Sequence, residues 1–234
     1  MPKIALISDV HGNLPALESV LKVLDGYSPD LWICLGDLVG YGPFPSECIN
    51  LIRERNINTV MGNHDAGVVG KLSLKYFRNP NRRLIEMSQS MLDKCQMEWL
   101  ANRPYTLLGS STWVASHASP IEPSKWTYLD SAIKARKVLN EIDESLCFVG
   151  HTHIPAVVSS QIGSLSFLKG HKYLINPGSV GQSRDDDFRA SCCLVDTDSW
   201  EIESFRIEYN TEKVLYALSR LGFDRAESNR LLRL

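Results

Sequence analysis

The chain has 234 residues, of which 44% are hydrophobic and 22% are charged, and these proportions are typical of soluble globular proteins. A formal net charge of −2 gives no overall attraction to nucleic acid or to anionic membranes, although a local basic groove is compatible with it. No apolar run approaches the roughly 20 residues that a membrane-spanning helix requires.

The six cysteines form no recognisable metal-binding or redox motif. No C-x-x-C pair occurs, which argues against a thiolate zinc site and a thioredoxin-like centre. Free thiols are typical of a reducing compartment. The chain also enters its first apolar run without the basic segment and cleavable apolar stretch of a secreted protein. We therefore expect a cytoplasmic protein.

The first part of the chain alternates between apolar runs and amphipathic segments. Asn13 and Pro15 provide an N-cap and a first-turn proline for a helix whose leucines recur at helical spacing. Ser46 is expected to cap the next helix, with Ile49 and Ile52 facing inward. Repeated strand–loop–helix units predict parallel strands with right-handed crossovers. The expected strands are residues 4–7, 31–35 and 59–61.

The later part of the chain predicts a different mixture of elements. Residues 66–104 are rich in basic and amide side chains and predict a helical insertion beside the site edge. Strands expected at 156–158, 173–175, 193–195 and 202–207 suggest a second, more antiparallel sheet. No internal repeat, low-complexity tract or linker occurs, so we expect a single domain over residues 1–234. The other expected elements are a hairpin (105–108 with 112–116), a helix (131–141), a buried strand (146–149) and a helical tail (211–234).

Two histidines directly follow the predicted strand at 146–149, in the sequence Gly150-His151-Thr152-His153. In an extended backbone, residues i and i+2 project to the same side, so both imidazoles would leave the strand toward a common point. An isolated pair of this kind is more often two loop histidines. Here other polar side chains also follow predicted strands, at the edge where open α/β sheets bind ligands. They are Asp9, His11, Asp37, Asn63, His64 and His117.

Carboxylate, imidazole and amide groups together indicate a site for zinc, iron or manganese rather than calcium, which prefers oxygen alone. Without His64, seven candidate ligands remain, which are too many for one four-coordinate ion and too few to saturate two octahedral ions. One bridging carboxylate would give each of two ions four protein bonds and leave positions open for water and substrate. Taken singly, each residue has an alternative, since Asp9 could be a turn residue and Asn63 a residue tolerant of left-handed backbone.

Five sequence blocks resemble the signature blocks of the calcineurin-like metallophosphoesterase superfamily, in the family's order. They are Asp9-x-His11, Gly36-Asp37, Gly62-Asn63-His64-Asp65, His117 and Gly150-His151-Thr152-His153. The resemblance spans residues 4–181 and is greatest to the small, compact bacterial and archaeal branch. It implies an α/β fold of two mixed β-sheets sandwiched between helices, in four layers, with the site at one end.

The resemblance also implies a role for each residue. Asp9, His11 and His153 would hold one metal, while Asn63, His117 and His151 would hold the other. Asp37 would bridge the two ions, and His64 would stand near the leaving group. The expected ions are divalent or transition metals, Mn²⁺ and/or Fe above all, with Zn²⁺, Ni²⁺ or Mg²⁺ as alternatives.

These roles predict hydrolysis of a phosphomonoester or phosphodiester by a metal-bridging hydroxide, because two ions lower the pKa of bound water to about 7. His64 would stabilise the phosphoryl oxygens or protonate the leaving group. Asp65 is expected to hold the His64 ring and favour its protonated form. The alternatives are a non-catalytic metal-binding scaffold and a nuclease, although no long basic stripe supports nucleic-acid binding.

The predicted substrate is a small phosphoester, with a nucleotide-like compound as one candidate, in a pocket that three further residues could line. Asn13 and Tyr41 lie in loops beside predicted ligands. Arg184 could pair with phosphate or, equally, with the acidic run 185–187. The sequence departs from the family at Ala118, where glycine is frequent, and at residues 183–186 in the loop that contains Arg184. The basic residues of the helical insertion could form a lid or a basic wall, or simply a solvated face.

Overall fold

The described residues form two five-stranded β-sheets that lie between helices, as the computed structural model of residues 2–79, 81–109, 112–163 and 167–234 shows. The first sheet has the strand order β10-β9-β1-β2-β3, and the second has the order β4-β5-β6-β8-β7. The strands are β1 (Lys3–Ile7), β2 (Leu31–Cys34), β3 (Asn58–Thr59), β4 (Thr106–Gly109), β5 (Trp113–Ser116), β6 (Leu146–Phe148), β7 (Ala156–Ser159), β8 (Tyr173–Asn176), β9 (Ala190–Asp196) and β10 (Glu201–Ile207).

Helices are found at the predicted places, including the 66–104 insertion and the 211–234 tail. Two short 3₁₀ helices, Leu74–Tyr76 and Pro123–Lys125, lie in loops that also contribute to the wall of the cavity described below. The α-helices are α1 (Leu14–Asp25), α2 (Pro45–Glu54), α3 (Asn63–Val68), α4 (Asn81–Met91), α5 (Lys94–Ala101), α6 (Ala132–Glu141), α7 (Thr211–Arg220) and α8 (Arg225–Leu232). None of these helices, within the described ranges, is long and apolar enough to cross a membrane.

The alternating side chains of β1 show how four layers are built. Ile4 and Leu6 face the second sheet and contribute to the core between the sheets. Ala5 and Ile7 face the other way and pack with the buried side of α1 and α2. On the far side, the outer face of the second sheet packs against α6. The predicted fold of two mixed sheets between helices is therefore confirmed.

The first sheet contains the predicted parallel strands and two additional strands. β1 pairs with β2 and β2 with β3 in parallel, as expected. However, β9 and β10 also join this sheet, because β9 lies antiparallel beside β1. Assigning both strands to the second sheet was wrong. Adjacent Cys192 and Cys193 face different cores, so β9 is buried on both faces, and that pattern does not reveal which strand it pairs with.

The second sheet is mixed rather than largely antiparallel. β5 pairs with β6 and β6 with β8 in parallel, whereas β4 and β7 run antiparallel at the two edges. The predicted hairpin is confirmed as β4 and β5, although its turn residues 110 and 111 lie outside the described residues. The parallel centre matters for function, because the carboxyl ends of β5 and β6 meet at one edge.

One helix start and one strand end differ from the expectation. Phe44, rather than Ser46, occupies the N-cap position of α2, and Pro45 begins the helix. Proline suits this position because its fixed φ fits the first turn and the amide proton that it lacks would have no helical acceptor there. The strand expected at 59–61 ends at Thr59, and α3 already begins at Asn63. Asn13 caps α1 as predicted, because its Oδ1 accepts from the backbone N–H of Ala16 at 3.2 Å.

Candidate metal centre

All eight polar residues predicted at strand ends lie together at one edge of the two sheets. Each of these eight residues is buried, with at most 5% of its surface exposed. They follow the ends of β1, β2, β3, β5 and β6, and Asn63 and His64 begin α3. They are Asp9, His11, Asp37, Asn63, His64, His117, His151 and His153.

Backbone hydrogen bonds continue from the strands into these loops and hold them side by side. The N–H of Asp9 donates to Gly36 at 3.0 Å, and the N–H of His11 donates to Asp37 at 2.8 Å. In the second sheet, the N–H of Gly150 donates to the carbonyl of His117 at 2.9 Å. The side chains therefore stand on rigid sheet edges rather than on free loops.

The backbone at five of these residues is left-handed, which is uncommon for residues other than glycine. Their φ angles lie between 49° and 66°. The extended conformation predicted for His151 and His153 is therefore wrong, since their φ angles are 66° and 61°. Such a conformation costs about 1–3 kcal/mol per residue and persists where surrounding structure enforces it. The five residues are Asp9, His11, Asp37, His151 and His153.

Glycine is required at two positions where the backbone closely approaches a candidate ligand. A Cβ atom at Gly62 would overlap the Oδ1 atom of Asp37. At Gly150 it would overlap the Ser8 hydroxyl and lie 2.8 Å from the Oδ2 atom of Asp9. Both glycines thus leave room for carboxylates that a larger residue would displace.

The first metal group consists of Asp9, His11 and His153, whose ligand atoms all lie within 4.8 Å of one another. The Nδ1 of His11 donates to the Val39 carbonyl at 2.9 Å, and that of His153 donates to the Gln182 carbonyl at 2.5 Å. Each donation fixes the ring and leaves Nε2 facing the centre. The two Nε2 atoms are 3.2 Å apart, and Asp9 Oδ1 lies 3.3 Å from that of His153.

The second set of candidate ligands, which we call the second metal group, consists of Asn63, His117 and His151, and Asp37 lies beside it. The ligand atoms of Asp37, His117 and His151 also lie within 4.8 Å of one another. The Nδ1 of His117 donates to the Leu35 carbonyl at 2.7 Å, so its Nε2 faces the centre. That atom is 3.1 Å from both Asn63 Oδ1 and His151 Nδ1.

Asp37 contacts both groups through a single carboxylate oxygen. Its Oδ2 is 3.3 Å from Nε2 of His117 and 3.7 Å from Nε2 of His11. Its other oxygen, Oδ1, accepts from the backbone N–H of His64 at 2.8 Å. Burial opposes ionisation of Asp37, but the adjacent histidines, His117 foremost, hold its pKa well below the usual range. The carboxylate in turn outweighs burial at His117 and raises the pKa of that imidazole to about 9.

The donor set fits a pair of divalent cations on physical grounds. Asp9 Oδ1 is buried, yet it accepts no hydrogen bond from the described residues, which ordinarily costs about 1–3 kcal/mol. The Nε2 lone pairs of His11 and His153 face each other, and burial holds the pKa of His11 well below its usual value. A cation between these three atoms would relieve both problems. A cation bound by the second group would have to displace the proton of His117.

Asp65 does not hold the His64 ring, so that prediction was wrong. Its carboxylate accepts from backbone N–H groups of Asp37, Leu38, Val39 and Gly62 at 2.8–3.3 Å. It therefore ties the loop after β2 to the start of α3 and fixes the position of Asp37. Burial and then the charge of Asp37 raise the pKa of Asp65 to about 7.

The surroundings of His64 favour its neutral form rather than the expected protonated form. Burial lowers its pKa to about 4, and the charge of Asp37 opposes this only in part. The ring lies 4.7 Å from the ring of His11 and 5.3 Å from that of Phe77, measured between centroids. Its Nδ1 is buried and has no hydrogen-bond partner among the described residues. His64 also lies close enough to His11 and Asp37 to form a third possible ligand group.

A cavity of about 590 Å³ opens over this centre and brings Tyr41 and Arg184 to it. The Arg184 guanidinium donates to the Tyr41 hydroxyl at 3.2 Å. In the acidic run 185–187, Asp185 pairs with Arg206 and Asp187 pairs with Arg189, whereas Arg184 turns to the tyrosines of the cavity. Asn13 does not line the cavity, because it is fully buried and its amide donates to the Gly181 carbonyl.

Other cavity residues were missed at the sequence level or were recognised only as part of the insertion. Tyr128 lies in the loop after His117, and its aromatic side chain in a polar loop was the available signal. The helical insertion provides one wall of the cavity, which includes Arg78, one of its basic residues. The insertion residues that line the cavity are Tyr76, Phe77, Arg78 and Asn81.

Comparison with known proteins agrees with this geometry. An uncharacterized protein of Methanocaldococcus jannaschii is 41% identical over 220 residues, which are 90% of this chain and 89% of the relative. A crystal structure of a metallophosphoesterase from Sphaerobacter thermophilus is similar with a TM-score of 0.83 and 36% identity, covering 98% of this chain and 97% of that chain.

More distant matches indicate how far the similarity extends. A symmetrical bis(5'-nucleosyl)-tetraphosphatase of Actinobacillus pleuropneumoniae is 30% identical over 105 residues, which are 42% of this chain and only 38% of that enzyme. The family model for the calcineurin-like phosphoesterase superfamily domain matches residues 2–200. The chain therefore belongs to the calcineurin-like phosphoesterase superfamily.

Proposed function

We propose that this protein hydrolyses a phosphomonoester or phosphodiester with two metal ions. The first metal group would hold one ion, the second metal group would hold the other, and Asp37 would bridge them. One observation carries the proposal, namely that Oδ2 of Asp37 lies within 3.7 Å of a histidine nitrogen from each group. Mn²⁺ and Fe are the ions that we propose, because imidazole ligands suit iron and carboxylate ligands suit manganese.

The proposed chemistry divides between the ions and the chain. When bound, the ions would supply positive charge at the phosphoryl oxygens and Lewis acidity that activates water. Arg184 would pair with the phosphate, because its planar guanidinium faces the cavity and Tyr41 holds it there. Asn63 completes the second group without adding negative charge, so the site stays attractive to an anion.

His64 would act as a neutral hydrogen-bond donor to the phosphoryl or leaving oxygen. A pKa of about 4 makes it a poor reservoir of protons at neutral pH. Bound cations nearby would lower this pKa further, because they disfavour a second positive charge. Its backbone N–H contact with Asp37 and its place in the cavity keep the ring beside the centre.

A small nucleotide-like phosphoester is the substrate class that we favour. A cavity of about 590 Å³ is within the usual size range for small-ligand sites. Its walls combine arginines with tyrosines, which suits a phosphate joined to an aromatic group. The partial similarity to the Actinobacillus tetraphosphatase supports the same class, although this chain spans only 38% of that enzyme.

The test is a panel of phosphoesters assayed with several divalent metals. It should include p-nitrophenyl phosphate, bis-p-nitrophenyl phosphate, diadenosine tetraphosphate and a labelled single-stranded oligonucleotide. We expect metal-dependent hydrolysis of at least one small ester and none after chelation. Two bound metals without hydrolysis of any compound would instead favour the non-catalytic scaffold, and preferential cleavage of the oligonucleotide would favour a nuclease.

A further inference from the structure

One histidine of the second metal group is held differently from the other three histidines of the two groups. The outward Nδ1 atoms of His11, His117 and His153 each donate to a backbone carbonyl. His151 instead directs Nδ1 inward, 3.1 Å from His117 Nε2. Its outward Nε2 is buried and has no hydrogen-bond partner among the described residues. No carbonyl therefore fixes the orientation of this ring.

The backbone of His151 is well anchored, but that does not fix the imidazole. Its N–H donates to Asp9 Oδ2 at 3.1 Å, which positions the main chain. The ring itself stacks on Tyr128, with centroids 3.9 Å apart and planes inclined by 29°. The Tyr128 ring thus restrains the rotation that a carbonyl acceptor prevents in the other three histidines.

The loop that carries Tyr128 covers both histidines of the second metal group. Trp126, two residues earlier, is 4% exposed and contacts His117 edge-on with centroids 5.9 Å apart. The backbone at Trp126 is left-handed, with φ 54°. The buried side chain of Trp126 anchors the loop that carries Tyr128. Tyr128 itself is 40% exposed and lines the cavity.

The hydroxyl of Tyr128 also contacts the guanidinium of Arg184, the residue that we propose to bind phosphate. It accepts from Nη1 of Arg184 at 3.4 Å, while Nη2 of the same guanidinium donates to Tyr41. Tyr128 therefore contacts His151, a proposed metal ligand, through its ring. Through its hydroxyl it contacts Arg184, which we propose to bind phosphate.

We propose that Tyr128 is a positioning residue that holds the His151 ring with Nδ1 directed to the second ion and holds Arg184 beside it. This inference rests on the proposed function. It predicts that the two parts of the tyrosine have separable effects. Loss of the ring should weaken metal binding at one site, whereas loss of the hydroxyl alone should weaken substrate binding.

The test compares Tyr128→Leu and Tyr128→Phe with a control, Tyr76→Leu. Tyr76 lines the same cavity and is 50% exposed, but its ring contacts that of Phe77. Chelator-treated proteins are titrated with Mn²⁺ by calorimetry. Tyr128→Leu should weaken one of two binding steps by about 10–100-fold, the range typical of residues that orient a metal ligand. Tyr128→Phe and Tyr76→Leu should leave both steps within about twofold.

The kinetic readout separates the hydroxyl from the ring. Tyr128→Phe should raise KM by about 2–10-fold with little change in kcat, because it removes one hydrogen bond to Arg184. Unchanged Mn²⁺ affinity in Tyr128→Leu, or equal weakening of both steps, would overturn the proposal. A merely structural role would instead lower both affinities together with thermal stability.

A measurement without metal distinguishes failure of this inference from failure of the proposed function. Nitrogen-15 NMR of the metal-free protein reports the protonated nitrogen and the motion of the His151 ring. Wild type and Tyr128→Phe should show a single tautomer with Nδ1 unprotonated, and Tyr128→Leu should show exchange between forms. Identical spectra in all three proteins would refute the positioning role, even if the wild type binds two metals and hydrolyses its substrate.

Discussion

The two metal groups share Asp37 but differ in charge, in anchoring and in access to the cavity. The first metal group adds the carboxylate of Asp9, whereas the second adds only the neutral amide of Asn63. Both histidines of the first group are fixed by backbone carbonyls, but His151 of the second depends on a tyrosine ring. These differences predict that the first ion binds more tightly.

The groups also face the cavity to different extents. Asn63 and His151 of the second metal group line it, whereas only His153 of the first does so. Because the cavity is the route for substrate, the second ion should exchange more readily and lie nearer to the phosphoester. The pairing of a firmly held site with an adaptable one is the main hypothesis that the following experiments address.

The largest effect is expected from Asp37→Asn, because this carboxylate is common to both groups. The asparagine side chain is neutral, so it cannot bridge two cations with the negative charge that the carboxylate supplies. We expect kcat to fall by about 10³-fold, which corresponds to several kcal/mol of lost transition-state stabilisation. Steady-state kinetics and metal analysis would measure this. Asp130→Asn, at an exposed position that pairs with Lys134, serves as the control and should be fully active. An active Asp37→Asn enzyme would contradict the shared role.

His64→Gln should lower kcat by about 100-fold, at the lower end for a group that assists proton or charge transfer. Both metal-binding steps should persist, because we place His64 beside the ions rather than on one. Calorimetry with Mn²⁺ and steady-state kinetics would test this. His171→Gln, which changes a histidine outside the centre, is the matched control. Loss of a metal in His64→Gln would instead assign the residue to the third possible ligand group with His11 and Asp37.

Substitution of the two neighbouring histidines should separate the two ions. His153→Ala should weaken the tighter binding step and His151→Ala the weaker one, each by about 10–100-fold or more. Each variant is the control for the other, because both lose one buried imidazole. Titration with Mn²⁺, followed by metal analysis after partial chelation, gives the two affinities. Equal loss of both ions in both variants would leave no distinction between the groups.

The smallest effect concerns stability of the metal-free protein in mild acid. The pKa of folded His64 is about 4, whereas an imidazole in the unfolded chain has the ordinary value of 6.5. Between these values the unfolded chain binds the proton and the folded chain does not, so stability falls as pH falls from 6.5 toward 4. At pH 5 this amounts to about 2 kcal/mol.

Urea unfolding of chelator-treated wild type and His64→Gln at pH 7 and pH 5 would measure this difference. The variant should lose about 2 kcal/mol less than wild type between the two pH values. His171→Gln should behave like wild type. An identical loss of stability in wild type and His64→Gln would show that His64 is not held neutral by the fold.

Much of the centre was predictable because the determinants are local in sequence. Apolar runs followed at once by Asp, His or Asn mark the carboxyl ends of buried strands, and the ends of parallel strands share an edge. The helical spacing of leucines with an Asn13 cap likewise identified α1. Local pattern and family resemblance together located every proposed metal ligand before any distance was known.

The roles of Asp65 and Tyr128 were not predictable, because both depend on contacts between distant segments. Asp65 follows His64 in sequence, yet its carboxylate turns toward the loop after β2 and binds four backbone amides. Tyr128 is 23 residues before His151 and meets it only because β5 and β6 are neighbours. For Asp65, proximity in the sequence suggested the wrong partner, His64. For Tyr128, it suggested no partner.

Sequence patterns and the family resemblance thus predicted the kinds of ligand, their order along the strands and the family. The fold placed β9 and β10 in the first sheet, gave His151 and His153 a left-handed backbone and set which ring nitrogen faces the centre. It also buries His64, which lowers the pKa of that imidazole. Strand partners, ring orientation and pKa are set by long-range hydrogen bonds and burial, and these arise only when distant segments pack together.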